Sequence, residues 1–342
     1  MGNSQFEAAL ELNNTGVPPI WFMRQAGRYH QHYQKLRSKS SFLELCRQPE
    51  LASQVALGPI EDFDFDAAIL FSDILFPLEA LGRSLDFTEA GPKLGSWLPL
   101  QDLTQCESLP EASARLRFQG EAVTTTRRLL PAHKSLIGFI GGPWTLFTYW
   151  MEETHKGPLL ESKRHLSFYP QFMEVLEPLL KAAIKMQLDA GAEVVNIFDT
   201  SAGELSPNLF AQLVTPVLSR LATAFPKQIM YYSRGTQPAH FQEAFWRQES
   251  ALLGVGVDHR WALPEAFALF PEKVIQGNFD QTLLFLPTSE FQLHFKNFVA
   301  AMRSAPKEHQ RRWICGLGHG ILPKTPENHV RWMVQYLREA WS

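Results

Sequence analysis

Eight short apolar segments recur along the chain, separated by longer stretches in which apolar residues are spaced three and four apart. Continuous apolar runs are typical of strands buried in a parallel sheet, because a half-exposed strand would alternate apolar and polar residues. The stretch YPQFMEVLEPLLKAAIKMQLDAG before the fourth segment has helical spacing and ends on Gly191, a common helix stop. The pattern predicts eight β/α units, whose apolar segments begin at Pro19, Asp66, Ser135, Ala192, Gln228, Leu252, Val274 and Arg311.

Eight such units in 342 residues most simply form a single-domain α/β fold, a (β/α)8 TIM barrel spanning residues 1–342. An open, doubly wound sheet is the alternative. Neither GxGxxG nor GxxxxGK[ST] follows any apolar segment, so both common nucleotide fingerprints are missing. The turn-rich stretch 82–101 predicts a hairpin insertion.

The composition gives no strong charge of either sign. Hydrophobic residues make up 45% of the chain and the formal net charge is −3, so we expect neither nucleic acid nor a membrane surface as a partner.

The chain has three cysteines, Cys46, Cys106 and Cys315, and no two of them form a CxxC pair. An odd number of unpaired cysteines favours a reducing compartment over a disulfide framework. No apolar run reaches the roughly 18 residues of a membrane span, and residues 1–10 lack an apolar signal core. We expect a cytoplasmic protein.

Polar side chains follow every apolar segment. In a β/α barrel all strands end on the same face, and the active site lies on that face. These side chains would therefore line one cleft. Ser233, Arg234, His259 and Asp280 have no spacing that compels chemistry, and we expect structural roles for them. The complete set is Arg24, Arg28, Asp73, Tyr149 in GGPWTLFTY, Asp199, Thr200, Ser233, Arg234, Asp258, His259, Asn278, Asp280 and His319.

The segment WFMRQAGRY places two permanent cations, Arg24 and Arg28, directly after the first apolar segment. The planar guanidinium matches a carboxylate or a phosphate, so an anionic ligand is one interpretation. A structural anchor paired with an acidic residue is the other. Because no Asp or Glu occurs between Trp21 and Leu43, a local partner is missing, which favours the ligand.

Four further candidates each have a structural alternative. Asp73 follows AAILF and is either a helix cap or a desolvated acceptor that stabilises a cation formed in a reaction. His319 is either a turn residue or a ligand contact, since its flanking glycines allow close approach. Tyr149 packs a helix face or enters the cleft, and Thr200 caps a helix or contacts a ligand.

Motifs for metal or covalent chemistry are weak. The sequence has no HExxH or HxH, and its cysteines have no histidines at zinc-ligand spacing. Neither Ser72 nor Ser233 lies in a GxSxG elbow. We therefore expect no metal site and no cofactor.

Taken together, these segments resemble the uroporphyrinogen decarboxylase family. The resemblance runs from about Phe6 to the C-terminus and implies a (β/α)8 barrel, usually a homodimer, that removes CO2 from four acetates of a cyclic tetrapyrrole without metal or cofactor. The matching motifs, in order, are WFMRQAGRY, AAILFSDIL, IGFIGGPWTLFTY, GAEVVNIFDTSAG, IQGNFD and GLGHGILP.

The resemblance also implies which residues act. The substrate loop corresponds to Arg24, Gln25, Ala26, Gly27 and Arg28, and the other substrate-binding positions are Asp73, Tyr149, Thr200 and His319. Of these, the resemblance assigns the catalytic set to Asp73, Arg24, Arg28, Tyr149 and His319. Asp73 would accept hydrogen bonds from pyrrole N–H groups, and the arginines would hold carboxylates, since arginine is a poor general acid.

The sequence departs from the family pattern at His30, Ser201 and His259. Two other functions stay open. A zinc-dependent corrinoid or thiol methyltransferase of the same fold would need an H-x-C motif, which none of the three cysteines forms. A non-catalytic tetrapyrrole-binding protein would keep the arginines but would not require Asp73.

Overall fold

The computed structural model describes residues 2–88, 91–95, 102–154, 157–247 and 251–341. Within them, the longest predicted helix is confirmed, ending just before Gly191, whose φ is +109°. The helices are α1 (Ser4–Leu10), α2 (Gln31–Arg37), α3 (Phe42–Arg47), α4 (Pro49–Phe63), α5 (Phe76–Ala80), α6 (Leu109–Arg115), α7 (Arg117–Leu129), α8 (Pro143–Glu152), α9 (Leu160–Arg164), α10 (Tyr169–Asp189), α11 (Pro207–Ala224), α12 (Ala244–Arg247), α13 (Leu263–Leu269), α14 (Thr288–Arg303), α15 (Lys307–Gln310) and α16 (Glu327–Trp341).

Seven strands form a parallel sheet in the order β1-β4-β5-β6-β7-β8-β9. The order has no reversal, so the doubly wound alternative is not formed. A separate antiparallel pair, β2 with β3, confirms the predicted hairpin, although residues 89–90 and 96–101 of that stretch lie outside the described part. The strands are β1 (Ala67–Ile69), β2 (Leu85–Thr88), β3 (Gly91–Leu94), β4 (Ser135–Gly141), β5 (Val194–Asp199), β6 (Ile229–Ser233), β7 (Gly254–Gly256), β8 (Val274–Phe279) and β9 (Trp313–Leu317).

The first of the eight predicted strands is not a regular strand. Among the described residues, its only ladder contact is an isolated parallel bridge between Ile20 and Cys315. The segment begins with Pro18 and Pro19, which have no N–H to donate, and it turns at Arg24, so there is little room for a regular ladder. The sheet thus has seven strands where the sequence predicts eight.

This segment nevertheless bonds to both outer strands of the sheet. The amide of Cys315 donates to Pro19 O at 2.8 Å, and the amide of Trp21 donates to Cys315 O at 3.3 Å. On the other side, the amide of Asp66 donates to Ile20 O at 3.1 Å. The segment therefore lies between β9 and the start of β1.

The parallel sheet lies in the protein interior. Every residue of β4, β5, β6, β8 and β9 is buried, which is why these strands read as continuous apolar runs. Among the described residues, none of the helices is both long enough and apolar enough to cross a membrane.

Asp66 joins three distant parts of the chain. Its Oδ2 accepts the amide of Ile20 at 2.8 Å, and its Oδ1 accepts from the side chains of Asn3 and Arg338, both at 3.2 Å. One carboxylate thus bonds to Arg338 on α16, to Asn3 just before α1, and to Ile20 in the segment between β9 and β1.

We expect Asp66→Ala to lower the free energy of unfolding by about 1–3 kcal/mol, because the amide of Ile20 loses its side-chain acceptor. Asp66→Asn keeps an oxygen for that amide and should lose less. Urea denaturation of the three proteins measures the difference. Equal losses in the two variants would show that the charge, and not the bond to Ile20, matters at this position.

Candidate active site

The loop that carries the two arginines is held in place by a buried glutamine. The Nε2 of Gln25 donates to Ala67 O in β1 at 2.9 Å, and its Oε1 accepts the amide of Phe22 at 3.1 Å. Gln25 is fully buried, whereas Arg24 and Arg28 are exposed and Ala26 and Gly27 are half-buried. Gln25 therefore positions the loop, while the arginines form its accessible surface.

Arg24 has a left-handed backbone, with φ of +61°. That conformation costs a non-glycine residue about 1–2 kcal/mol and occurs often at functional sites. Its side chain lies against Gly320, where an added Cβ would come within 2.6 Å of the Arg24 Cδ. The amide of Ile321 also donates to Met23 O at 2.9 Å. The GLGHG loop after β9 and the arginine loop are thus packed together.

Neither Arg24 nor Arg28 forms an ion pair with any of the described acidic residues. This agrees with the lack of Asp and Glu in the surrounding sequence. Other arginines of the chain behave differently, since the guanidinium of Arg220 forms three hydrogen bonds with the Glu177 carboxylate at 2.6–3.0 Å. Both Arg24 and Arg28 are exposed, so their guanidinium groups are accessible to a ligand.

Asp73 is half-buried just beyond β1. Its Oδ1 accepts the amide of Leu75 at 2.9 Å, which stabilises the turn before α5, but α5 has no side-chain N-cap, so Asp73 is not the predicted helix cap. Burial raises the pKa of this carboxyl to about 6, and the bond from Leu75 and the positive charge of Arg24 act in the opposite direction. Accepting one amide does not use the second carboxylate oxygen, so this structural role and ligand binding are compatible.

Tyr149 lies in the same electrostatic environment. It is buried on α8, and burial, followed by the charge of Asp73, raises the pKa of its hydroxyl, while the charge of Arg24 acts in the opposite direction. The structure therefore brings together Arg24, Asp73 and Tyr149, three residues from three different loops or helices.

Thr200 is half-buried in the turn after β5, and a buried polar cluster holds that turn. Thr145 donates its amide and its hydroxyl to Asp199 Oδ1, both at 2.7 Å, and its Oγ1 accepts the amide of Ser201 at 3.0 Å. Asp199 is fully buried, and this burial raises the pKa of its carboxyl to about 6. Asp199 thus fixes the start of α8, the helix that carries Tyr149.

His319 is held by a tyrosine that the sequence did not single out. The hydroxyl of Tyr232 lies 2.8 Å from Gly318 O and 3.0 Å from His319 Nδ1. The two rings are stacked with centroids 6.0 Å apart and an interplanar angle of 11°. Tyr232 lies within the apolar run QIMYYS, where a tyrosine resembles any other core aromatic residue.

The remaining residues at the strand ends make local contacts. Ser233 Oγ lies 2.8 Å from Thr236 Oγ1, and Asp280 accepts the amide and hydroxyl of Thr282 at 2.8 and 2.7 Å, contacts that agree with structural roles. Arg234 is exposed. His259 is half-buried, and its Nδ1 is buried with no hydrogen-bond partner among the described residues.

Two of the three departures from the family pattern lie in the protein interior. His30 is fully buried, with its Nε2 2.7 Å from Asp62 Oδ2, and Ser201 is 2% exposed. Across the described ranges, no group of three or more His, Cys, Asp or Glu side chains is placed to hold a metal ion.

The geometry suits a reaction that passes through a cation next to carboxylate groups. A desolvated carboxylate stabilises positive charge more strongly than a hydrated one, because water does not screen it. The exposed guanidinium groups of the arginine loop can bind carboxylates through paired N–H donors.

The ionised form of Asp73 should destabilise the fold. The pKa of Asp73 is about 6 in the folded protein, above its ordinary value of 3.8. Between pH 3.8 and pH 6 the folded protein therefore binds more protons than the unfolded chain. As a result, the free energy of unfolding falls as the pH rises through this range. We expect Asp73→Asn, which keeps the acceptor for Leu75, to raise the free energy of unfolding by about 2–3 kcal/mol at pH 7.5 and by only about 0.5 kcal/mol near pH 4.

Asp280→Asn is the matched control, because Asp280 is also half-buried and also accepts an amide two residues ahead, but through a solvent-exposed hydrogen bond. Urea denaturation at both pH values should show no pH-dependent gain for it. A gain for Asp73→Asn that is the same at pH 4 and pH 7.5 would refute the buried-charge explanation.

Comparison with known proteins identifies the family of the chain. The uroporphyrinogen decarboxylase (URO-D) family model matches residues 1–340. The chain is 37% identical to a uroporphyrinogen decarboxylase from Chelativorans sp. (strain BNC1), over 99% of both proteins, and 37% identical to one from Anaeromyxobacter dehalogenans (strain 2CP-C), over 96% of both. A solved methyltransferase from Methanosarcina mazei shares the fold, with a TM-score of 0.74 at 19% identity over 99% of both chains. The chain belongs to the uroporphyrinogen decarboxylase family.

Proposed function

We propose that this protein is a carboxy-lyase that converts the four acetate side chains of uroporphyrinogen III to methyl groups, giving coproporphyrinogen III in haem biosynthesis, without metal or organic cofactor. The observation that carries the proposal is Asp73, a desolvated carboxyl that feels the positive charge of Arg24, whose guanidinium forms no ion pair with a described acidic residue. The relatives named uroporphyrinogen decarboxylase, which match nearly the whole chain, support the choice of substrate.

The reaction needs an electron sink. Protonation of a pyrrole carbon makes the ring a cation, the C–C bond to the acetate carboxylate then breaks, and its electron pair flows into the ring as CO2 leaves. A second protonation, at the exocyclic carbon, completes the methyl group, and loss of the first-added proton restores the pyrrole. With a pKa of about 6, Asp73 is mostly ionised at neutral pH, so it would accept pyrrole N–H bonds and stabilise the cation.

The arginine loop would bind the acidic side chains of the substrate. Arg24 and Arg28 would hold carboxylates, Gln25 would fix the loop, and Ala26 and Gly27 would let a ligand approach the backbone. Gly27 is already close to the chain, since an added Cβ would come within 3.0 Å of Arg24 O.

Three further residues would contact the substrate. Tyr149, next to Asp73, and His319, on the GLGHG loop that packs against Arg24, would bind carboxylates or position the central site, and Thr200 would contact a side chain of the substrate. These three positions lie on loops and helices that follow β4, β5 and β9.

The proposal extends to the whole protein. Residues 1–342 would form one domain in which the segment at 19–21 serves as the eighth strand and closes the barrel, because it bonds to β9 and to the start of β1. A homodimer in the cytoplasm would fit the family and the three cysteines, none of which forms a disulfide.

The test is anaerobic incubation of chelator-treated protein with uroporphyrinogen III, followed by oxidation and chromatographic separation of the products by carboxylate number. We expect stepwise loss from eight to four carboxylates. Asp73→Asn should lower the rate about a hundredfold or more, because the ring cation loses its counter-charge. Asp280→Asn should keep the parent rate.

Two other outcomes would reject the proposal. Tight tetrapyrrole binding without turnover would identify a binding protein. Lack of turnover combined with about one zinc per chain before chelation would favour the methyltransferase alternative, whose fold the chain shares.

A further inference from the structure

The buried hydroxyl of Tyr232 constrains where His319 carries its proton. The hydroxyl is within hydrogen-bond distance of two groups, Gly318 O at 2.8 Å and His319 Nδ1 at 3.0 Å. It has one proton to donate, and a carbonyl oxygen can only accept. Both bonds form together only if the hydroxyl donates to Gly318 O and accepts from an N–H at His319 Nδ1.

The opposite arrangement is less favourable. If the hydroxyl donated to Nδ1, the carbonyl of Gly318 would lose that donor, although both Gly318 and Tyr232 are buried. A buried polar group that loses its bond costs about 1–3 kcal/mol.

We propose that Tyr232 is a positioning residue that holds His319 in the Nδ1–H tautomer, which leaves Nε2 as the basic atom of the ring. The inference goes beyond family membership, since it concerns a residue whose contact is visible only in the folded structure. Its kinetic consequence rests on the proposed function.

This tautomer changes what His319 can do with an acidic ligand. A neutral ring of this form presents a lone pair at Nε2, which repels a carboxylate but accepts from an N–H or a protonated carboxyl group. To bind a carboxylate through Nε2, the ring must first take up a proton and become a cation. Tyr232 would thereby make His319 a conditional carboxylate binder, in contrast to the permanent cations Arg24 and Arg28.

The tautomer is measured without substrate. In protein labelled with ¹⁵N at histidine, we expect the His319 signals, identified by their loss in His319→Ala, to show a protonated Nδ1 and an unprotonated Nε2 in the neutral ring. Tyr232→Phe should shift the ring toward the Nε2–H form. A parent protein whose neutral His319 carries its proton on Nε2 would overturn the proposal.

A double-mutant cycle then tests whether Tyr232 acts through His319. We expect Tyr232→Phe to lower kcat/KM for uroporphyrinogen III about fivefold, mainly through KM, and to have almost no further effect in the His319→Ala background. Tyr169→Phe is the matched control, since it also removes a tyrosine hydroxyl that donates to a carbonyl, Leu213 O at 3.1 Å. It should keep the parent kcat/KM.

The two readouts separate this proposal from the proposed function. An equal loss from Tyr232→Phe with and without His319 would show that Tyr232 acts independently of His319 and would overturn the proposal. If the parent protein decarboxylates nothing while the ¹⁵N signals show Nδ1–H, the proposed function fails and the assignment of the tautomer stands.

Discussion

The site is organised by one unfavourable charge. Asp73 is held where water reaches it poorly, and the pKa of its carboxyl is raised to about 6 even though the Leu75 amide and the charge of Arg24 both favour the ionised form. Such a group costs stability in the free protein, and the cost is offset when a ligand brings N–H donors and positive charge to it. The hydrogen bond from the Leu75 amide holds the Asp73 carboxylate in the turn after β1.

Those loops are linked to one another by backbone contacts and buried polar side chains. Gln25 ties the arginine loop to β1, and the close approach at Gly320 ties it to the loop after β9. Asp199 ties the turn after β5 to the start of α8. The arginine loop, the loop after β9 and the turn after β5 are thus each held by buried residues, which is how a site built on loops gains rigidity.

Much of this arrangement is predictable from the sequence, because the strand pattern and the polar residues after each strand are local features. Seven of the eight apolar segments form strands of the parallel sheet, and the exception, from Pro19, fails for the local reason that two prolines remove its donors. The proximity of Asp73, Arg24 and Tyr149 follows from parallel strands ending on one side. Tyr232 could not be predicted, since its partner is 87 residues away and its sequence context is that of a core aromatic residue.

The central claim is that Asp73 faces the pyrrole nitrogens while the arginine loop faces the acidic side chains. A crystal structure of the protein with coproporphyrinogen III, grown anaerobically so that the tetrapyrrole stays reduced, tests this most directly. The account predicts pyrrole N–H groups within hydrogen-bond distance of Asp73 and ligand carboxylates on Arg24 or Arg28. A tetrapyrrole bound with Asp73 uncontacted, or seated outside this cleft, would contradict it.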